Sequence, residues 1–209
     1  MRSPNILVIL MIVIGFASCQ KPDNHNGNGN NGYDVPVTTY AVGDYFHNDT
    51  LSGVVFKVTA GGTQGMMVSL DETQCQWCLE PYIIEETGAT NAIEGWNNTN
   101  IVMSNYDLIN FPAIAWSMEK NTWFEHGHIA AKHWYVPSSD ELRTLLLNMN
   151  DVNTALQRLG KPTMEDKTYW SSTELGTRIA TALYLQNDVV ATADSEKTNR
   201  FYVRAVCNF

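Results

Sequence analysis

The stretch that decides the fold is His133-Trp-Tyr-Val-Pro-Ser-Ser-Asp-Glu-Leu-Arg-Thr-Leu-Leu-Leu-Asn-Met149. It opens with the strand-favouring sequence Trp-Tyr-Val, and Pro137 then ends any strand ladder and keeps the preceding residue extended. Ser138 and Glu141 have the spacing of a capping box, which satisfies two free amides at the start of a helix. Apolar residues follow at intervals of three and four, at Leu142, Leu145, Leu146 and Met149. This pattern predicts a strand that runs directly into a capped, amphipathic helix.

Short strands are predicted on both sides of this element. Before it, alternating apolar residues and glycine turns predict an antiparallel meander, over 40–46, 53–59 and 65–70. Residues 71–104 show no sustained period, so we expect mostly exposed loop there. A helix is expected within 105–120, with its regular part starting near Phe111 and Pro112 in its first turn, and a short helix at 152–159. The closing strands are expected at 169–173, 178–185, 189–192 and 201–207. Strands, then helices, then strands describe an α+β domain with antiparallel sheets and segregated helices.

Trp134 is predicted to be the main apolar anchor of this domain. The order of strand, proline and helix cap directs its side chain into the core. There we expect it to contact the helix that begins near Ser139 and the closing strand at Val203–Val206. In that strand Phe201, Val203, Ala205 and Cys207 share one face, which makes Cys207 a small core residue.

The N-terminus has the pattern of an export signal. A positive charge precedes an apolar run at 6–14, which is too short to span a membrane. The ending Phe-Ala-Ser-Cys resembles a bacterial lipobox, which implies cleavage before Cys19 and lipidation of its thiol. The alternative is an ordinary secretory signal in which Cys19 is incidental. We therefore expect a signal peptide at 1–18, a flexible tether at 19–32 and a single domain at 33–209, anchored by lipid to the bacterial outer membrane.

The charge balance argues against some partners. The chain of 209 residues has 13 Lys and Arg against 22 Asp and Glu, a net charge of −9. Loss of residues 1–18 removes only Arg2 from this count, which leaves 12 basic against 22 acidic residues, or −10. Such a surface repels phosphate backbones, so nucleic acid is not an expected partner. Six Trp, nine Tyr and seven Phe are the opposite of a disordered composition.

Cysteine and histidine spacing predicts no redox centre and no metal site. Cys75 and Cys78 form a lone CxxC without the helix start of a redox motif or the second pair of a zinc ribbon, so a local disulfide or free thiols are expected. Glu125, His126 and His128 are the densest set of metal-ligand residue types, but their spacing fixes no further ligand. The chain has no G-x-S-x-G, H-E-x-x-H or P-loop sequence. We therefore expect no cofactor, no metal and no enzymatic activity.

Three segments in fixed order carry a resemblance to a known family. They are Trp134-Tyr-Val-Pro-Ser-Ser-Asp-Glu-Leu142, Tyr169-Trp-Ser-Ser-Thr-Glu174 and Val203-Arg-Ala-Val206. Together they resemble the Legionella-collagen-like protein C-terminal domain family, from about Val42 to the end of the chain. The resemblance implies a C-type-lectin-like fold, with two helices, a sheet joining both ends of the chain and a loop-rich lobe.

The same resemblance implies an exported bacterial surface protein with a role in adhesion, and some members of the family bind polyanionic glycans. Two features depart from that expectation. The tripeptides of the calcium-dependent sugar site of true C-type lectins do not occur here. The strong acidity also argues against polyanion binding unless Lys197, Arg200 and Arg204 cluster.

Aromatic residues of the loop-rich lobe are the predicted ligand-binding residues. Trp77, Trp96 and Trp123 are expected to be exposed there. Trp170 and Glu174 could stack on a sugar and accept from its hydroxyls, or instead form a core anchor and an acceptor for local amides. The expected function is a lipid-anchored module that binds a glycan or a surface protein. The alternative is a structural subunit of a surface appendage or envelope complex, which displays an edge strand and needs no small ligand.

Overall fold

The computed structural model of the chain describes residues 37–80, 85–121 and 134–209. The first strands are β1 (Tyr45–His47), β2 (Ser52–Thr59), β3 (Gln64–Val68) and β4 (Thr73–Gln76). The helices are α1 (Gly95–Asn105), α2 (Pro112–Met118), α3 (Ser139–Leu147) and α4 (Met149–Arg158). The closing strands are β5 (Thr168–Glu174), β6 (Ile179–Gln186), β7 (Val189–Thr192), β8 (Ser195–Glu196), β9 (Arg200–Val203) and β10 (Val206–Asn208). The predicted α+β class and the order of strands, helices and strands are confirmed.

The strands form two sheets. The first sheet has the order β1-β2-β3-β10, and the second has the order β4-β9-β5-β6-β7 with β8 also paired to β6. The strand pairs are antiparallel except β5 with β9, which run parallel where Tyr169 meets Tyr202. The expectation of purely antiparallel sheets is therefore wrong at this one pair.

The closing strand is divided between the two sheets. Sequence alternation predicted one strand over 201–207, but β9 ends in the second sheet and β10 begins in the first. Arg204 and Ala205 lie at the crossing, where Ala205 is bonded to Ser69 instead of continuing the β9 ladder. All residues from Val203 to Cys207 are buried, so the buried run continues unbroken from one sheet into the other. The sequence pattern therefore does not reveal the change of sheet.

The segment from Trp134 to Met149 runs into a capped helix, as the sequence predicted, and its extended part is a single bridge to the first sheet. Tyr135 forms an antiparallel bridge to Val206 of β10, and the capping box of Ser138 and Glu141 is present at the start of α3. The apolar face of α3 and α4 packs between strands of both sheets. Its members are Leu142, Leu145, Leu146, Met149, Val152 and Leu156, in one cluster with Val54, Val68, Tyr169 and Leu183.

Trp134 is buried, but against a different surface from the one expected. Its ring is 6% exposed and clusters with Phe46, Met67 and Cys207. These residues face away from α3, because side chains of consecutive strand residues point to opposite faces and Val206 belongs to the α3 cluster. Tyr135, the next residue, contacts the leucines of α3 instead. The expected contact between Trp134 and that helix is therefore wrong, and its contact with the closing segment is confirmed.

Residues 71–104 contain two regular elements, β4 and α1, where mostly loop was expected. The buried face of α1 is Gly95, Asn98, Thr99 and Val102. These positions have helical spacing, yet only Val102 is strongly apolar, so hydrophobic periodicity does not detect the helix. Asn98 takes the place of an apolar contact, because its side chain donates to the Asn91 carbonyl at 2.6 Å and to Ser172 Oγ at 3.2 Å.

The helix expected near Phe111 is present as α2. Pro112 is its first residue, which confirms the prediction that the proline lies in the first turn.

The described residues from Val37 to Phe209 form one compact unit. The expected signal peptide, Cys19 and tether lie outside the described residues.

Candidate functional site

The three motif segments meet in space. Ser172, in the second segment, donates its backbone N–H to the Pro137 carbonyl of the first at 2.7 Å. Ser139 donates to Thr173 Oγ1 at 3.0 Å, and the bridge between Tyr135 and Val206 joins the first segment to the third. The motifs therefore converge on one buried centre.

Glu174 and Lys197 form a fully buried ion pair at one end of that centre. Lys197 Nζ lies 2.5 Å from Glu174 Oε1, and neither side chain has any solvent exposure. Lys197 also donates to the carbonyls of Glu85 and Thr177 and sits 5.1 Å from the centre of the Trp77 ring. All three ammonium hydrogens thus have acceptors, which is what a buried charge requires.

The Glu174 carboxylate fastens the segment that follows residue 84. Its Oε2 accepts the backbone N–H groups of Thr87 at 2.8 Å and Gly88 at 3.0 Å, and the Thr87 hydroxyl at 3.1 Å. The Glu174 amide in turn donates to the Ala89 carbonyl at 2.8 Å. Glu174 therefore accepts local amides, which agrees with the structural alternative considered for it.

A second buried charge network surrounds Glu72. Its carboxylate accepts from Lys167, from the Tyr169 hydroxyl at 2.7 Å and from Arg204 Nε at 3.0 Å. Arg204 is 1% exposed and also donates to the Ser69 and Pro162 carbonyls. Burial raises the pKa of Glu72, but the bonds from Lys167 and Tyr169 and the charge of Arg204 outweigh it and hold the pKa below 4.5.

Glu141 caps two helices at once. Its Oε2 accepts from Ser138 N at 2.8 Å, at the N-cap of α3, and from Gly95 N at 3.1 Å, at the start of α1. Its Oε1 accepts from the Tyr135 hydroxyl at 3.0 Å. Burial raises the pKa of Glu141 above 4.5, although these hydrogen bonds oppose the shift.

The predicted ligand-binding aromatics are mostly inside the protein. The expected exposure of Trp77 is wrong, since its ring has 0% exposure and its indole N–H donates to the Ser171 carbonyl at 3.0 Å. Trp170 is also fully buried, and its ring centre lies 4.8 Å from the ring centre of Phe201. A ring without solvent exposure offers no face for a sugar. Trp96 is half-buried and packs on Tyr135, and Trp123 lies outside the described residues.

Sequence reasoning did not find the charged groups that organise this centre. Lys197 and Arg204 are bound to separate buried carboxylates, so they do not form a cluster for a polyanion with the exposed Arg200. A signal for Arg204 was present, since a charge between apolar residues in a strand pattern requires a buried partner. Glu72 and Lys197 lie in polar stretches and have no such signal.

The two cysteines of the CxxC are free thiols in surroundings that disfavour the thiolate. Cys75 and Cys78 form no disulfide, which decides between the two alternatives for this motif. Burial raises the pKa of Cys75 to about 11, with Arg200 opposing it, and raises that of Cys78 to about 12, with Lys197 opposing it. Both thiols therefore stay protonated at neutral pH and lack the thiolate that redox or metal chemistry needs.

Metal and membrane features are absent from the described parts of the chain. Over residues 37–80, 85–121 and 134–209, no three metal-ligand side chains come together. No helix in those ranges has the length and apolar character that a bilayer crossing needs. Glu125, His126 and His128 lie outside them.

Two shallow depressions lie at the turn between β2 and β3. One, of about 430 Å³, is lined by residues of 39–44 and 58–62. The other, of about 210 Å³, is lined by Lys57, Thr59, Gln64, Gly65, Met66, Asn208 and Phe209. Both are open to solvent, and no charged pair or buried polar group converges in either of them.

β1, one of the two outer strands of the first sheet, leaves main-chain groups facing away from the sheet. Val55 N bonds to Asp44 O, and Asn48 N bonds to Leu51 O, so alternate residues of β1 point toward β2. Tyr45 and His47 are the residues whose N–H and C=O groups point outward. Their rings stack on each other at 5.8 Å, and Tyr45 is 42% exposed.

β7, one of the two outer strands of the second sheet, also leaves main-chain groups facing away from its sheet. Asn187 and Asp188 have positive φ and form a two-residue turn between β6 and β7. Ala193 N bonds to Ala182 O at 2.7 Å, so Val190 and Thr192 point their main-chain groups outward. Arg143 Nη1 lies 3.4 Å from Val190 O, a long contact from an exposed side chain.

Comparison with known proteins adds a fold relation. No protein-family model matches the sequence, and no curated protein matches it. Among solved structures, the chain is similar to one described as a fimbrial protein from Bacteroides ovatus ATCC 8483, with a TM-score of 0.64 at 20% sequence identity. The match covers 81% of this chain and 49% of the other, so this chain spans about half the length of that protein. At this identity the likeness establishes a shared fold.

Proposed function

We propose that this chain is a structural subunit of a bacterial surface appendage. The observation that carries the proposal is the fold shared with a fimbrial protein over 81% of this chain. Of the two functions considered from the sequence, this is the one that needs no small-molecule site. The burial of Trp77, Trp170 and Glu174 favours it over a glycan-binding module built on those residues.

The internal charge networks support a mechanical role. Glu174 with Lys197, and Glu72 with Arg204 and Lys167, each join segments that lie far apart in sequence. Breaking either network leaves a charge in a low-dielectric interior, which is strongly unfavourable. Such cross-links resist local opening of loops and sheet ends, a property that suits a subunit under load.

The proposal includes attachment and location. Lipidation of Cys19 would fix the chain to the outer membrane, and the Asn- and Gly-rich tether would hold the domain away from the lipid surface. Membership of the Legionella-collagen-like C-terminal domain family, with a C-type-lectin-like fold and an adhesion-type role, is part of the same proposal. The partner is then a second copy of this chain or another envelope protein.

Sedimentation velocity of the full-length chain over a concentration series tests the proposal, together with immunogold electron microscopy of cells that produce it. We expect concentration-dependent oligomers and label on extended surface structures. A glycan array with the parent and a Trp96→Ala variant provides the competing test. A strictly monomeric protein that binds a glycan through Trp96 would overturn the appendage proposal.

A further inference from the structure

We propose that copies of this chain join head to tail, with β1 of one copy paired to β7 of the next. This inference rests on the proposed function and names the interface that the function needs. An open filament requires a heterologous contact, in which two different surfaces of the same chain meet, because a self-complementary surface closes into a dimer.

The strand order places the two candidate edges at opposite ends of one path. The first sheet ends with β10 and the second contains β9, and these strands are separated only by Arg204 and Ala205. The path β1-β2-β3-β10 therefore leads to β9, which lies between β4 and β5 in the second sheet. Followed through β5 and β6, the path ends at β7, and followed to the other side of β9 it ends at β4. Pairing β1 with β7 between copies extends the longer of these two paths from one subunit to the next.

The other two outer strands, β10 and β4, have different surroundings. Tyr135 exchanges two backbone hydrogen bonds with Val206 and so covers the outer side of β10. β4 pairs with β9 on one side and contacts α2. In β1 and β7 the ladder register directs the main-chain groups of Tyr45, His47, Val190 and Thr192 outward.

The residue types on both edges favour pairing over protection. Natural edge strands are usually guarded by lysine, proline or inward charges. In this chain of 35 charged residues, β1 reads Tyr-Phe-His and β7 reads Val-Val-Ala-Thr, with no Asp, Glu, Lys or Arg in either. The nearest acidic residues flank the strands, at Asp44 before β1 and at Asp188 and Asp194 on either side of β7.

The geometry of the pair follows from the outward residues. In an antiparallel pair, Tyr45 would oppose Thr192 and His47 would oppose Val190, which gives about four backbone hydrogen bonds between the copies. The exposed Arg143 guanidinium leaves its long contact with Val190 O when the second strand enters. The exposed Tyr45 and His47 rings then meet the β-branched side chains of β7, a favourable cross-strand combination.

Proline substitutions block each edge separately. His47→Pro removes an outward N–H from β1, and Thr192→Pro removes one from β7, while the bonds that hold each strand in its own sheet are retained. His47→Ala and Thr192→Ala are matched controls that keep the N–H. We expect each proline variant to raise the dissociation constant of self-association by about tenfold or more, and each alanine variant to change it much less.

Mixing the two proline variants gives the decisive measurement. Each has one intact edge of a different kind, so in sedimentation velocity each alone stays monomeric, whereas the mixture forms a dimer and no longer chain. Dimerisation of the Thr192→Pro variant alone, through β1 with β1, would overturn the head-to-tail inference. A mixture that stays monomeric would also overturn it.

Two controls keep these outcomes separate. If a proline variant loses its near-UV circular dichroism, Tyr45→Glu and Val189→Glu replace it, because both side chains are exposed and a charge blocks an edge without changing the backbone. A parent chain that is monomeric at every concentration would overturn the proposed function itself. A parent that self-associates equally well with both edges blocked would overturn only this interface.

Discussion

We expect substitution of Glu174 or Lys197 to lower the free energy of unfolding more than other substitutions of charged residues. Removing either side chain leaves the other as an unpaired charge without solvent contact. We predict that Lys197→Met lowers the free energy of unfolding by about 3–5 kcal/mol. The matched control is Arg178→Met, which breaks an ion pair with Glu196 whose two side chains are about half exposed. That change should cost less than about 1 kcal/mol.

Urea denaturation of both variants measures these costs. Limited proteolysis adds a local readout, since Lys197 also holds the Glu85 carbonyl and its loss should expose the neighbouring segment to cleavage. Equal stability losses in Lys197→Met and Arg178→Met would contradict the role given to the buried pair.

Glu72 gives the protein a predictable response to acid. Its folded-state pKa is held below 4.5 by Lys167, Tyr169 and Arg204, despite the effect of burial. A carboxyl with a depressed folded pKa contributes stability above its unfolded pKa and loses it as the pH falls through the folded value. We predict that Glu72→Gln is less stable than the parent at pH 7, and that the difference shrinks as the pH falls below about 4.5.

Thermal melts of the parent and of Glu72→Gln from neutral pH to pH 3 measure this change. Glu165→Gln is the control, because that carboxyl makes only partly exposed hydrogen bonds to Asn153 and Thr163. A stability difference between Glu72→Gln and the parent that is constant with pH would show that packing, and not the carboxylate charge, is what Glu72 supplies.

At the scale of elements, the segment from Trp134 to Ser138 contributes side chains to the hydrophobic clusters on both faces of the first sheet. Trp134 fills the cluster with Phe46 and Cys207, while Tyr135 packs on the α3 side. We predict that Trp134→Ala costs about 3–5 kcal/mol of unfolding free energy. Ser138→Ala should cost about 1 kcal/mol, since it removes only the helix cap.

Chemical denaturation of both variants checks this order. Tyr135→Phe is an informative third variant, because it retains the ring and removes the hydroxyl that donates to Glu141 at 3.0 Å. It should cost about 1 kcal/mol. If Trp134→Ala unfolds at the same denaturant concentration as the parent, the cluster around Trp134 is not part of the cooperative core.

The elements that sequence patterns predicted well are rich in apolar residues. Leu142, Leu145 and Leu146 form a single apolar face that marks α3, whereas β2 and β6 contain runs of strand-favouring residues that are buried on both faces. α1 was missed because its buried face contains Gly95, Asn98 and Thr99, whose partners come from distant segments. Glycine is required at position 95, since a Cβ there would lie 2.5 Å from the Ser138 nitrogen and the Val136 carbonyl oxygen.

The candidate site was less predictable than the fold, because the contacts of its residues also come from segments that are distant in sequence. Trp77 and Trp170 were assigned to ligand binding because an aromatic ring is equally suited to a sugar face and to a core. The deciding fact is the partner each ring has, and Lys197 and Phe201 are supplied by segments remote in sequence. The edge strands β1 and β7 likewise become apparent only from strand order, which local patterns do not encode.

At the scale of the whole molecule, the net charge of −9 opposes any contact between copies. The proposed contact between β1 and β7 involves uncharged residues and His47, so salt should act on the repulsion between subunits and scarcely on the pairing itself. An increase in salt from about 0.01 M to about 0.1 M shortens the screening length from about 30 Å to about 10 Å. We predict that self-association of the full-length chain strengthens over this range.

Sedimentation velocity at matched protein concentrations measures the effect, and the His47→Pro variant is the control. Screening alone should not restore oligomers to that variant, because its missing N–H belongs to the pairing and not to the repulsion. Oligomers that weaken as salt rises would indicate an interface made by opposite charges. Since β1 and β7 carry no Asp, Glu, Lys or Arg, that result would assign the contact to another part of the surface.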